Sequence, residues 1–188
     1  MSHPGKNSPH KVDEFRILGI DPGSIICGYG LIKTVKGQKA NRPDCVYITS
    51  GRITLPPKNP LHLRFKTLYD GLIKIIKEYK PQEMVVERMF FAKNVKAALK
   101  LGQARGIALL AAASEGLSVY EYSALEVKKA ITGYGKAEKR QVQEMVMRIL
   151  NLNNCHLSSV RLTEDSADAL ALALCHLNNI RFKEILKV

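Results

Sequence analysis

At 188 residues the chain suits one compact domain with its own hydrophobic core, since single domains commonly run to about 100–150 residues. Hydrophobic residues make up 46% of it, yet no apolar run approaches the roughly 20 residues that span a bilayer, which argues against a membrane protein. Lysine and arginine outnumber aspartate and glutamate by 29 to 17, a formal charge of +12, which suits a densely anionic partner, nucleic acid first, although a ribosomal or membrane surface would suit it equally.

Met1 to Glu14 is polar and lacks the apolar core of a secretory signal, so it reads as a disordered lead-in. The domain is expected over 15–180, with 181–188 as a basic tail. Arg16 to Ile20 is a short apolar run stopped by Asp21-Pro22-Gly23-Ser24, which predicts a strand and then a loop, with Asp21 at the strand's end. Cys27 to Thr34 and Cys45 to Leu55 predict two more strands, with Lys36-Gly37-Gln38 as a turn between them, and three strands in succession imply an antiparallel meander.

From Leu61 to Tyr79 the period becomes helical, through Leu61, Phe65, Leu68, Leu72, Ile75 and Ile76, and Pro81 stops the helix. Met84 to Glu87 is a short strand ending in a carboxylate; reached through a helix, it lies parallel to its neighbour. An alanine-rich helix over Asn94 to Glu115 leads to the strand Ser118 to Tyr122. Ser123 caps a helix to Ile131, Gly133-Tyr134-Gly135 breaks it, and Glu138 to Leu150 is helical again. A polar stretch precedes the last helix, expected from Glu164 to about Asn178 with Thr163 as its cap. The order describes an α/β fold: a mixed five-stranded sheet, three antiparallel strands then two parallel, with helices on both faces.

Cys27, Cys45, Cys155 and Cys175 show no CxxC pairing, which speaks for a reduced, cytoplasmic setting rather than structural zinc, and Cys175 reads as a core residue despite its neighbour His176. Asp21 and Glu87 end two strands, at the mouth of an open sheet where ligands usually sit. Asp165 and Asp168 are three apart in the first turns of the last helix and so share a face. Four carboxylates from three elements could hold two magnesium ions about 3.5–4 Å apart, an arrangement suited to phosphodiester hydrolysis. Each acid also has a plain structural reading: Asp165 and Asp168 answer the helix dipole, and Asp21 can be a turn residue. Convergence in space separates these readings.

The motifs Ile17-Leu18-Gly19-Ile20-Asp21-Pro22-Gly23-Ser24, Gly28-Tyr29-Gly30, Val86-Glu87, Ala98-Leu99-Lys100-Leu101-Gly102-Gln103-Ala104-Arg105-Gly106 and Asp165-Ser166-Ala167-Asp168-Ala169-Leu170-Ala171 resemble, in order and spacing, the RuvC family of Holliday junction resolvases. The resemblance runs from Arg16 to about Leu177. It implies an RNase H-like fold, a homodimer, association with the RuvA-RuvB branch-migration complex, and magnesium-dependent paired nicks across a four-way DNA junction, with manganese as a possible substitute. It assigns Asp21, Glu87, Asp165 and Asp168 to the metal-binding and catalytic positions; some relatives carry histidine where Asp165 stands. Phe90 matches an aromatic that stacks on bases, and Lys128 and Lys139 match basic positions of DNA binding and catalysis. Lys93, Lys136 and Arg140 are further candidates for backbone contacts, and Gly102 and Gly106 allow close approach of another element. The stretch Asn153 to Leu162 is longer than usual for the family. The alternatives are another RNase H-like nuclease with a different substrate, a noncatalytic junction-binding module, and a nucleotide-binding protein of the actin and sugar-kinase group, whose phosphate loop Asp21-x-Gly resembles.

Overall fold

The computed structural model describes residues 15–35, 45–88, 95–152 and 162–185. Strands β1 (Arg16–Asp21), β2 (Ile26–Thr34) and β3 (Cys45–Thr54) form the expected antiparallel meander. Helix α1 (Leu61–Tyr79) then carries the chain across the sheet, so β4 (Glu83–Glu87) enters parallel to β1, and α2 (Val95–Ser114) carries it again to β5 (Ser118–Tyr122), parallel to β4. The five strands lie in the order β3-β2-β1-β4-β5. Helices α3 (Ala124–Thr132), α4 (Lys139–Ile149) and α5 (Glu164–Ile185) complete the chain.

Alternation along the strands divides the core in two. Leu18 and Ile20 of β1 and Met84 and Val86 of β4 point to one side, where they pack on Leu68, Leu72, Ala104 and Ala108 of α1 and α2. Ile17 and Val85 point to the other, towards Val127, Val146 and the buried stripe Leu170–Leu174 of α3, α4 and α5. Helices therefore cover both faces, and Asp21 and Glu87, in step with Ile17 and Val85, belong to the α5 side. Among the described residues no helix is long and apolar enough to cross a membrane.

Local chemistry sets the helix ends. Lys80 takes a left-handed conformation (φ 49°) and donates its N–H to the Ile76 carbonyl, after which Pro81 prevents continuation. Ser123 and Glu126 form a reciprocal capping box at the start of α3, and Gly133 (φ 75°) closes that helix. Thr163 and Ser166 satisfy one another similarly ahead of α5: the Thr163 N–H donates to Ser166 Oγ at 2.9 Å and the Ser166 N–H to Thr163 Oγ1 at 3.4 Å.

The last helix runs on to Ile185, beyond its expected end at Asn178 and into the segment read as a tail. The two asparagines that suggest a stop are satisfied inside the helix: the Asn178 amide donates to the Ala130 carbonyl of α3, and the Asn179 amide to the Cys175 carbonyl one turn back. Ile180 adds apolar contact to the core. Cys27, Cys45 and Cys175 are buried free thiols, as a reduced core requires, and Cys155 lies outside the described residues.

The closest packing in the molecule is between α5 and the first hairpin. Gly19 and Gly30 face each other across β1 and β2, and Gly28 pairs with Asp21. A Cβ at Gly19 would strike the Ala169 carbonyl, one at Gly28 the Asp165 carbonyl, and one at Gly30 the Leu170 side chain. At Gly19 and Gly28 backbone meets backbone, and at Gly30 the Leu170 side chain fills the space. Gly19→Ala is expected to lower stability by about 1–3 kcal/mol or more, because the neighbour is main chain that cannot swing aside; urea denaturation measures it.

Candidate active site

The glycine-lined contact lowers the N-terminal turns of α5 onto the end of β1. Asp21, the last residue of β1, therefore stands beside Asp165 and Asp168, while β4 delivers Glu87 on the same face. Asp21, Glu87 and Asp168 line one cleft, whose walls are Ala124, Val127, Val142, Ala171 and Leu172, and Lys128 and Lys139 reach into it from α3 and α4. Asp165 stands at its edge, close enough for its charge to act on Asp21. The structure thus brings together all four acids of the sequence reading, with Asp165 outside the lining proper.

Burial and crowding leave a clear electrostatic mark. Burial, then the charges of Asp168, Glu87 and Asp165, push the Asp21 carboxyl up from 3.8 to about 7, against the opposing pull of Lys139. Burial and Asp168 raise Glu87 as well. Asp168 is raised by burial even though it receives the Lys139 ammonium. Three acids whose ionised forms are disfavoured by burial and by neighbouring carboxylates form a set that a cation would relieve.

Lys139 supplies part of that relief. Its Nζ lies 2.9 Å from Asp168 Oδ2 and 3.2 Å from Glu164 Oε2, and the hydrogen bond to Asp168 holds its ammonium above the ordinary lysine value. Glu164 was not singled out by the sequence reading; its position next to Asp165, in the first turn of an acid-rich helix start, was the available signal. Among the described residues no three His, Cys, Asp or Glu side chains yet converge on a point at ligand distance. The donors nevertheless fit a hard divalent cation: all are carboxylate oxygens, and Asp168 keeps a second oxygen beyond the one Lys139 engages.

The remaining candidates divide. Lys128 lines the cleft and Lys136 is exposed in the turn before α4. Arg140 points along its own helix to Glu144 at 3.4 Å. Phe90 and Lys93 lie outside the described residues, as does 153–161 of the long stretch ahead of α5. Among the described residues a Cβ on Gly106 would meet nothing within 4 Å, so none of the described elements accounts for that glycine.

A mixed sheet with acids at the ends of its first and fourth strands, closed by a helix that brings two more, defines an RNase H-like nuclease. The family model described as crossover junction endodeoxyribonuclease RuvC matches residues 17–176. The chain is 45% identical to the crossover junction endodeoxyribonuclease RuvC of Geobacter sulfurreducens, over 92% of this chain and 98% of that one. It is 47% identical to the corresponding protein of Syntrophotalea carbinolica, over 91% and 99%. Its fold superposes on Thermus thermophilus RuvC in complex with a Holliday junction substrate with a TM-score of 0.78 at 32% identity, over 90% and 96% of the two chains. The chain belongs to the RuvC family of crossover junction endodeoxyribonucleases. Membership of that family sets aside the nucleotide-binding alternative.

The raised Asp21 carboxyl makes a pH-dependent contribution with a definite sign. A proton bound more tightly in the folded state favours folding at low pH, and this contribution is lost as pH rises from 3.8 through about 7. In EDTA, Asp21→Asn should therefore melt at a higher temperature than the original chain at pH 8, with the gap closing by about pH 4. Thermal unfolding across that range checks it.

Proposed function

We propose that this protein resolves four-way DNA junctions by paired, symmetric nicks, with two magnesium ions held by Asp21, Glu87, Asp165 and Asp168. The observation that carries the reading is the meeting of Asp21, Glu87 and Asp168, from β1, β4 and α5, in one cleft where Asp168 raises both strand-borne acids and Glu87 raises Asp21. Bound there, the metal would activate water and stabilise charge on the attacking and leaving oxygens. The family's substrate class, and the junction bound by the Thermus thermophilus relative, support the choice of DNA structure.

The chain's own residues divide the remaining work. Asp21 and Glu87 sit on strands, whose backbones are fixed on both sides by pairing, so they hold the more rigid half of the site. Asp168 and Asp165 arrive on α5 and complete it. Lys139, already paired with Asp168, can turn its ammonium to a phosphate on which charge develops. The apolar walls, from Val127 to Leu172, exclude water and strengthen each of these interactions. Lys128, Lys136 and Arg140 extend the positive surface around the cleft, Phe90 stacks on bases if it serves as its family position implies, and Lys93 is a further candidate for a backbone contact.

Two nicks require two sites, which a homodimer provides. Leu99, Gly106 and Leu110 lie on one stripe of α2, with both leucines exposed and the glycine open, and this surface suits a second copy. A cytoplasmic setting and association with RuvA-RuvB follow from the family alone.

Cleavage of four-way junction, linear duplex and RNA–DNA hybrid at one salt concentration, with magnesium or manganese, tests the assignment. Asp21→Asn and Glu87→Gln should each lose at least about a hundredfold in junction cleavage, as expected when several kcal/mol of metal-borne stabilisation disappear. Junction binding should survive in both. A chain that binds junctions without cutting them under either metal, or that prefers hybrid, would sink the reading. Lys128→Ala should flatten the salt dependence of junction affinity, reducing the log–log slope by about 0.9, as read by fluorescence anisotropy from low to high salt.

A further inference from the structure

His176 lies on α5 beyond the acidic cleft and is 2% exposed. Its Nδ1 stands 2.8 Å from the Tyr122 hydroxyl and its Nε2 2.8 Å from Glu83 Oε2. The Glu83 carboxylate can only accept, so Nε2 donates to it, and the Tyr122 hydroxyl completes the second bond at Nδ1. Tyr120 covers the imidazole, with ring centroids 4.2 Å apart. A leucine would fill this place without the cost of desolvating polar atoms. Instead one helical side chain is tied by two directional bonds to two different strands.

The placement of those strands matters. Glu83 and Glu87 are the two ends of β4, and Tyr122 pairs with Glu87 in the register of β4 and β5. On α5, Asp168 precedes His176 by just over two turns, roughly 12 Å along the helix. Contact with the glycines of β1 and β2 fixes the height of α5, but steric contact resists approach far better than it resists sliding or rolling. Over β4 the hydrogen bonds remove that freedom.

We propose that Tyr122, His176 and Glu83 form a positioning strut that holds α5 in one register over β4, and so sets the separation of Asp168 and Glu87. The proposal rests on the reading that these two acids serve a shared metal. No member of the strut is itself among the residues that line the cleft, and the backbone pairing of Tyr122 with Glu87 does not involve the Tyr122 hydroxyl, so the hydroxyl acts on the metal site through α5 and β4.

The test compares Tyr122→Phe, which deletes one hydroxyl and keeps the ring, with Glu83→Gln, whose amide oxygen can still accept from His176. Val146→Ala, a buried change on α4, an element that holds no member of the strut, supplies a control for general destabilisation. Manganese binding is followed by electron paramagnetic resonance without DNA, alongside junction cleavage at graded magnesium. Tyr122→Phe should weaken manganese binding about tenfold and raise half-saturating magnesium in proportion, with the saturated rate within about twofold, as for residues that orient metal ligands. Glu83→Gln should stay close to the original chain. If Tyr122→Phe binds manganese as tightly as the original, or loses no more than a Val146→Ala chain of equal thermal loss, the strut is refuted. If the original chain binds manganese no better than Asp21→Asn, the shared-metal reading itself falls and takes the proposal with it, a result that the same titration keeps distinct.

Discussion

Everything in this molecule that bears on chemistry depends on how closely α5 lies against the first hairpin. Helix and sheet usually keep a layer of side chains between them. Here Gly19, Gly28 and Gly30 thin that layer, and the carbonyls of Ala169 and Asp165 and the Leu170 side chain occupy the space. The helix then presents Leu170 to Leu174 to the core beneath α3 and α4 while its first turns reach the end of β1. Apolar packing and acid placement are two results of the same contact.

The contact also explains why the acids oppose one another. A carboxylate in water is indifferent to a neighbour several ångströms away, but Asp21 is surrounded by apolar walls and three like charges, and its proton is held to near neutrality. Lys139 relieves Asp168 and Glu164 from α4 and leaves Asp21 and Glu87 without an ion-pair partner of comparable closeness among those described. The imbalance falls on the strand-borne pair, which identifies where the site has most to gain from a cation.

Much of this was legible in the sequence, for identifiable reasons. Strands and helices announced themselves by period, and Asp21 and Glu87 by following apolar runs where a charge is out of place. Glycines 19, 28 and 30 were visible as letters, but a glycine in a strand does not reveal which element will press on it; that needs the register of β1 with β2. The end of α5 was misjudged because Asn178 and Asn179 look like terminators until their amides find Ala130 and Cys175. Glu164 and the bonds of His176 depend on partners 25, 54 and 93 residues away, separations at which no local pattern carries information.

The acids come from opposite ends of the chain: Asp21 closes the first strand, and Asp165 and Asp168 open the last helix. During synthesis the sheet can pair and α1 and α2 can cover one face well before α5 has been made, since chains fold from the N-terminus as they emerge. Until then the glycine groove is open and the cleft lacks a wall and two of its four acids. An unfinished chain is therefore an unarmed one on the proposed reading: the cleft gains its full set of acids only when α5 has been made.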